Sequence, residues 1–232
     1  VKTSTISTPR GDILFVPRDL NLWPRNSAPP ALKVGQQRGM TVHWPGGFEE
    51  RRYRNATSFD TMFKIDVDRV GDSIRDHNSR PGITDVGYNY FVGRSGAVFE
   101  GRGWHQNGAN GAILSELKPQ YPPGTTTTNP YWLSVQVIAG QDLMDLTIAQ
   151  WESLKRLYTW IVEKADIENP QVNGHRDVRA TACPGDVVHS KLYTVEAAWP
   201  VTQPPQEDDD MKTLPQPFRL HDSRTKNDTL LP

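Results

Sequence analysis

Two hydrophobic periods alternate along this chain of 232 residues. "GMTVHW", Gly39 to Trp44, has the composition of a strand. In "FKIDVDRVGDSIRDHN" the residues Phe63, Val67, Val70 and Ile74 recur at steps of four, three and four, which is one face of a helix. "GYNYFVG" and "AVFEG", joined by "RSG", predict a β-hairpin with a Ser-Gly turn. "LSVQVIAG", Leu133 to Gly140, predicts a strand whose two faces are both largely apolar, hence buried on both sides. From Ile148 to Lys164, Trp151, Leu154, Tyr158 and Ile161 share a helix face, and Thr147 with Gln150 supplies a capping box at its start. A short strand around Val172 and one short helix from about Val187 to Ala198 complete the pattern.

Strands interleaved with helices, one hairpin among them, predict an α/β domain: a central mixed β-sheet flanked by helices. Residues 1–34 carry scattered Pro and Arg with only a short apolar run, "ILFV", and read as an N-terminal arm wrapped over the domain rather than a core element. The domain itself spans 35–200. Within it, Lys118 to Pro130, "KPQYPPGTTTTNP", is a loop insertion that can continue neither a helix nor a central strand. In 201–232, "VTQPPQEDDDMK" has the make-up of a solvated linker, and the apolar residues after it suit the start of a further module.

Composition narrows the partners. A net charge of −1 gives no electrostatic basis for binding nucleic acid. No apolar run approaches the roughly 18 residues of a membrane span, so no membrane insertion is expected. The opening "VKTSTISTPRGD" lacks the basic-then-apolar order of a secretory signal. The single cysteine cannot form an internal disulfide, which suits folding in a reducing cytoplasm.

That cysteine lies in "NGHRDVRATACPGD", with His175 eight residues before Cys183. Imidazole nitrogen and thiolate are the donors zinc favours, and a catalytic zinc has three protein ligands and one open position. Spacing alone leaves two readings open: a zinc half-site, or a surface histidine beside a buried thiol. Arg176 and Asp177 complete an "HRD" triplet, but the other kinase signatures are missing, so the pair reads as loop-orienting.

The motif resembles the C-terminal signature of the zinc-dependent N-acetylmuramoyl-L-alanine amidases, a superfamily that includes phage endolysins and peptidoglycan-recognition proteins. "TVHW" resembles that family's first strand, and "DVGYNYFVGRSGAVFEGRGW", Asp85 to Trp104, its hairpin. The resemblance covers about Val34 to Pro200. It implies Zn2+ held by His43, His175 and Cys183, with Tyr88 and Thr181 as catalytic groups. Trp104 and Asn110 are implied as substrate-binding residues, Asn110 standing where the family often has a histidine lining the groove. The implied reaction is hydrolysis of the amide between N-acetylmuramic acid and L-alanine in peptidoglycan. A phage lysin is the implied setting: a monomer, made in the bacterial host's cytoplasm without a signal peptide and acting on the cell wall. Two alternatives stand beside it. One is a non-catalytic peptidoglycan-binding module of the same fold, though such relatives usually lack the cysteine ligand. The other is a zinc endopeptidase on stem peptides. A glycosidase would need two facing carboxylates; Asp85, Glu100, Asp177 and Asp186 form no such pair in sequence.

Overall fold

The computed structural model describes residues 1–33, 35–47, 50–140 and 145–200. The linker and further module expected at 201–232 lie outside the described residues. Seven strands form one mixed sheet: β1 (Ser4–Ile6), β2 (Ile13–Val16), β3 (Gly39–His43), β4 (Tyr90–Val92), β5 (Val98–Glu100), β6 (Trp132–Val137) and β7 (Gln171–Gly174), in the order β1-β2-β5-β4-β6-β3-β7. The hairpin β4–β5 and the pair β1–β2 are antiparallel; β2–β5, β4–β6, β6–β3 and β3–β7 are parallel. The helices are α1 (Glu50–Tyr53), α2 (Phe59–Asn78), α3 (Ile148–Ala165), α4 (His175–Val178), α5 (Asp186–Ser190) and α6 (Tyr193–Glu196). Among the described residues, no helix is long and apolar enough to cross a membrane.

The two long helices cover opposite faces of the sheet, as strand alternation dictates. Tyr90, Val92, Val98, Val135 and Val137 pack with Leu154, Leu157, Tyr158 and Ile161 of α3. Phe91, Phe99 and Ile138 pack with Val70 and Ile74 of α2. Both helices start on the caps their sequences provide. Ser58 accepts from the Thr61 N–H at the head of α2, and Thr147 and Gln150 close a reciprocal box at the head of α3.

Three expectations need correction. The N-terminal segment is not an arm laid over a finished domain: β2 adds in parallel to β5, and Ile13 and Val16 are fully buried. "ILFV" is short, but a strand with partners on both sides needs few residues to bury two apolar side chains. Strand β6 is buried along its length, yet its faces differ: Leu133, Val135 and Val137 point to α3, while Ser134 and Gln136 occupy the other face. The helix expected over 187–198 is two short helices, α5 and α6, separated by a turn at Lys191. The 118–130 insertion is entered by a 3-10 turn, Ser115–Gln120, and its Tyr121 packs with Tyr131, its hydroxyl accepting from Trp132 Nε1 at 3.0 Å.

Candidate metal centre and its surroundings

His43 ends β3, in register with Gln136 on β6. His175 opens α4 directly after β7, the strand on the other side of β3. The loop after α4 then folds back. The Arg176 N–H donates to the Cys183 carbonyl at 2.8 Å, and the Arg176 guanidinium holds both the Asp186 carboxylate and the Ala182 carbonyl at 2.5 Å. Asp177 accepts from the Gly174 N–H at 2.8 Å and contacts His189 Nε2 at 2.9 Å. Gly185 is required in this loop: its φ is +86°, and a Cβ there would lie 2.4 Å from the Trp44 ring. The fold-back brings a donor atom of His43, His175 and Cys183 to within 4.8 Å of one another.

The donor set fits a metal in its protonation as well as its spacing. Burial, reinforced by the His175 ring, lowers His43 to about 3. Burial also lowers His175. Both imidazoles are therefore neutral at neutral pH, with a lone pair to give. Asn110 decides which nitrogen carries it. His43 Nε2–H donates to the Asn110 side-chain oxygen at 3.0 Å, and His175 Nε2–H donates to the Asn110 backbone carbonyl at 3.0 Å. Nδ1 of each ring is left as the ligating nitrogen, the arrangement in which an outer partner fixes the tautomer of a metal-bound histidine. Cys183 Sγ accepts from the Trp44 N–H at 3.3 Å. Burial pushes its thiol up to about 11, opposed by Trp44 and by Arg176, so a metal must displace a proton there.

Asn110 thus holds a different post from the one expected. It is fully buried and faces the two histidines. Its oxygen also accepts from Ser134 Oγ at 2.8 Å, and its Nδ2 donates to the Trp132 carbonyl at 2.9 Å. Every polar atom of the side chain is engaged inside the protein. Trp104 is likewise buried, packed edge-on against Trp160 of α3 with Lys164 over its ring, on the face of the sheet away from α2. The family resemblance implied a substrate-binding Trp104; the packing of α3 makes it core.

Tyr88 does stand at the centre. Its ring lies 5.2 Å from that of His43 and 5.2 Å from that of His77 on α2. Burial, and next the nearby Cys183 sulfur, raise its phenol, so it is a proton donor at neutral pH. Thr181 is exposed, and its hydroxyl accepts from the Cys183 N–H at 3.3 Å. The loop leading to Tyr88 is pinned from beneath: Arg18, from the N-terminal segment, forks onto the buried Asp85 carboxylate at 2.7 and 2.8 Å. Glu100 accepts from the Arg18 N–H at 3.0 Å. With Asp177 and Asp186 tied as described, the four carboxylates around the motifs are all held in structural contacts.

Beside the three donors runs a groove of about 360 Å³, walled by α2 on one side and by Tyr88 and Gln136 on another. His77 and Gln136 are its unforeseen members. His77 reads in sequence as the polar end of α2, and only the crossing of α2 over the sheet brings its ring to Tyr88. Gln136 had a signal, because it shares the phase of Ser134 on an otherwise apolar strand.

Comparison with known proteins bears on this arrangement. The model of the N-acetylmuramoyl-L-alanine amidase family Amidase_2 matches residues 35–186. The chain belongs to this family. The matched span contains all three donors, Tyr88 and Asn110, and leaves β1, β2 and Arg18 outside. Among curated relatives, peptidoglycan-recognition protein SC2 of Drosophila simulans is 29% identical over 119 residues, 51% of this chain and 57% of its own length. Peptidoglycan recognition protein 1 of Mus musculus is 30% identical over 128 residues, 53% and 59% of the two chains. The alignments thus take in under two thirds of either relative. Drosophila peptidoglycan recognition protein SD has the same fold, with a TM-score of 0.58 at 22% identity over 81% of this chain and 95% of that one. Human PGRP-Iβ C, solved in complex with a glycosamyl muramyl pentapeptide, matches with a TM-score of 0.57 at 21% identity over 80% and 96%.

Proposed function

We propose that this amidase-family chain is a zinc hydrolase that cuts the amide between N-acetylmuramic acid and L-alanine in peptidoglycan. The observation that carries the reading is the meeting of His43, His175 and Cys183, both histidine tautomers set by Asn110, at the rim of an open groove. Those three residues would hold the zinc. When bound, zinc supplies a Lewis acid for the scissile carbonyl and lowers the pKa of a coordinated water to about 7.

The chain's own residues supply the rest. Tyr88 stays a protonated phenol at neutral pH and donates to the oxygen on which negative charge develops. Thr181 orders the turn that presents Cys183, and its exposed hydroxyl offers a second, weaker donor. Arg18 and Asp85 keep the Tyr88 loop in place. The groove beside Tyr88 receives the stem peptide. The third donor, Cys183, supports hydrolysis over a module that only binds, and its lone thiol suits a lysin made in a reducing cytoplasm.

Digestion of purified peptidoglycan tests the reaction. Mass spectrometry should find free stem peptides that begin with L-alanine, with no new reducing sugar ends. Peptides cut internally, with the lactyl amide intact, would instead make the chain an endopeptidase. No release at all, together with tight binding to the wall, would make it a binding module. Elemental analysis should find about one zinc per chain and strongly reduced zinc in Cys183→Ser.

A further inference from the structure

Tyr88 has one phenolic proton, and amide hydrolysis at this site needs that proton in one place. The phenol lines the groove together with Gln136, Ser73 and His77. Its oxygen takes a side-chain hydrogen bond from Gln136, which opposes the rise that burial imposes on the phenol. Among the described residues no other partner meets Gln136 Nε2, and that atom is closed off from the groove. The amide nitrogen therefore serves Tyr88 and not a ligand.

The other end of the amide is tied as well. Gln136 Oε1 accepts from Ser73 Oγ on α2 at 3.1 Å. That bond gives the amide its sense, with oxygen toward α2 and nitrogen toward the phenol. The sense matters because a phenol both donates and accepts. Facing an N–H, the Tyr88 oxygen accepts, and its own proton is free to point elsewhere. Facing the amide oxygen it would donate, and its proton would be engaged inside the protein. The ring has little freedom to escape this choice. It stands edge to face against His77, whose Nδ1–H donates to the Ser73 backbone carbonyl at 2.9 Å. The His43 ring lies 5.2 Å away as well, and His43 is in register with Gln136 across β3 and β6.

We propose that Gln136 is a positioning residue: its Nε2–H, aimed by Ser73, holds the Tyr88 oxygen so that the phenolic proton turns toward the metal donors. The inference rests on the amidase reading, with Tyr88 as the donor to the developing oxyanion. It makes the Ser73–Gln136 pair a device that acts only through Tyr88.

A double-mutant cycle on the zinc-loaded enzyme tests this, with a soluble muramyl pentapeptide as substrate. Gln136→Met, close in shape but without the amide, should lower kcat about tenfold while KM and zinc content hold. Ser73→Ala frees the amide to turn and should lower kcat roughly two- to threefold. In a Tyr88→Phe background neither change should move kcat by more than about twofold, because the proton they direct is already gone. The full tenfold loss in that background overturns the proposal, and so does wild-type kcat in Gln136→Met. The metal-free chain gives a second reading that needs neither turnover nor a Gln136 variant. In a 15N-labelled sample, Tyr88→Phe should shift the Gln136 side-chain amide resonance. An unmoved resonance removes the hydrogen bond, and the proposal with it. A wild-type chain that cuts no muramyl peptide overturns the amidase reading and this inference together. An active chain with additive losses overturns this inference alone.

Discussion

The two faces of β3 and β6 are equally buried and built for different ends. Toward α3 they present Met40, Val42, Leu133, Val135 and Val137, packed on Leu154, Leu157, Tyr158 and Ile161. Toward α2 and the groove they present Thr41, His43, Ser134 and Gln136, none more than 2% exposed. The first face stabilises by removing apolar surface from water, at about 25 cal/mol per Å². The second gains almost nothing that way, and each of its polar groups costs free energy unless it is bonded. Most are bonded, through Asn110 and Ser73. One strand pair thus separates stability from chemistry by alternation alone. Damage to one face should leave the other's property largely intact.

The largest effect should come from the apolar face. Leu154→Ala deletes a fully buried side chain and should cost about 2–5 kcal/mol in urea unfolding. Zinc stoichiometry of the folded fraction should not change; a loss of zinc there would mean that the faces are coupled. On the other face, Tyr88→Phe should lower kcat by about 10²–10³ with zinc content and melting temperature near normal. Near-normal turnover would reduce Tyr88 to a packing ring. Asn110→Ala comes next. It frees the His43 ring to turn, while the backbone carbonyl still holds His175, and should weaken zinc about 10–100-fold in a competitive chelator titration. Unaltered affinity would show that the strand positions alone orient the ligands.

The smallest effect is a pH slope in the metal-free protein. His43 titrates at about 3 when folded, against an ordinary value of 6.5. Between those values the unfolded chain binds a proton at this ring that the folded chain does not. Stability should therefore fall as pH drops from 6.5 toward 3. Urea midpoints of the chelator-treated protein at pH 7 and pH 5 measure it, and His43→Gln should flatten the slope. A variant with the wild-type slope would place the proton linkage elsewhere.

Much of this molecule is legible along the chain, for reasons that are local. Helix α3 declares itself by period and by the Thr147–Gln150 box, and both are satisfied within a few residues. The hairpin β4–β5 is likewise a matter of neighbours in sequence. Since family motifs preserve strand order, "TVHW" and "GHRDVRATACPGD" already named the three donors that the fold gathers. Tertiary structure alone decided the rest. Asn110 and Trp104 look like groove residues in one dimension, yet Asn110 is enclosed between two histidines and Trp104 beneath α3. Side-chain direction depends on which helix covers which face, and no local signal encodes that. The N-terminal segment teaches the same point: a four-residue apolar run is too short to predict a core strand, but β5 offers an open edge that makes one of it. Gln136 shows where the boundary lies. Its alternation with Ser134 was written in the sequence, whereas its place beside Ser73 and Tyr88 exists only because α2 crosses the strand and leaves a groove beside it.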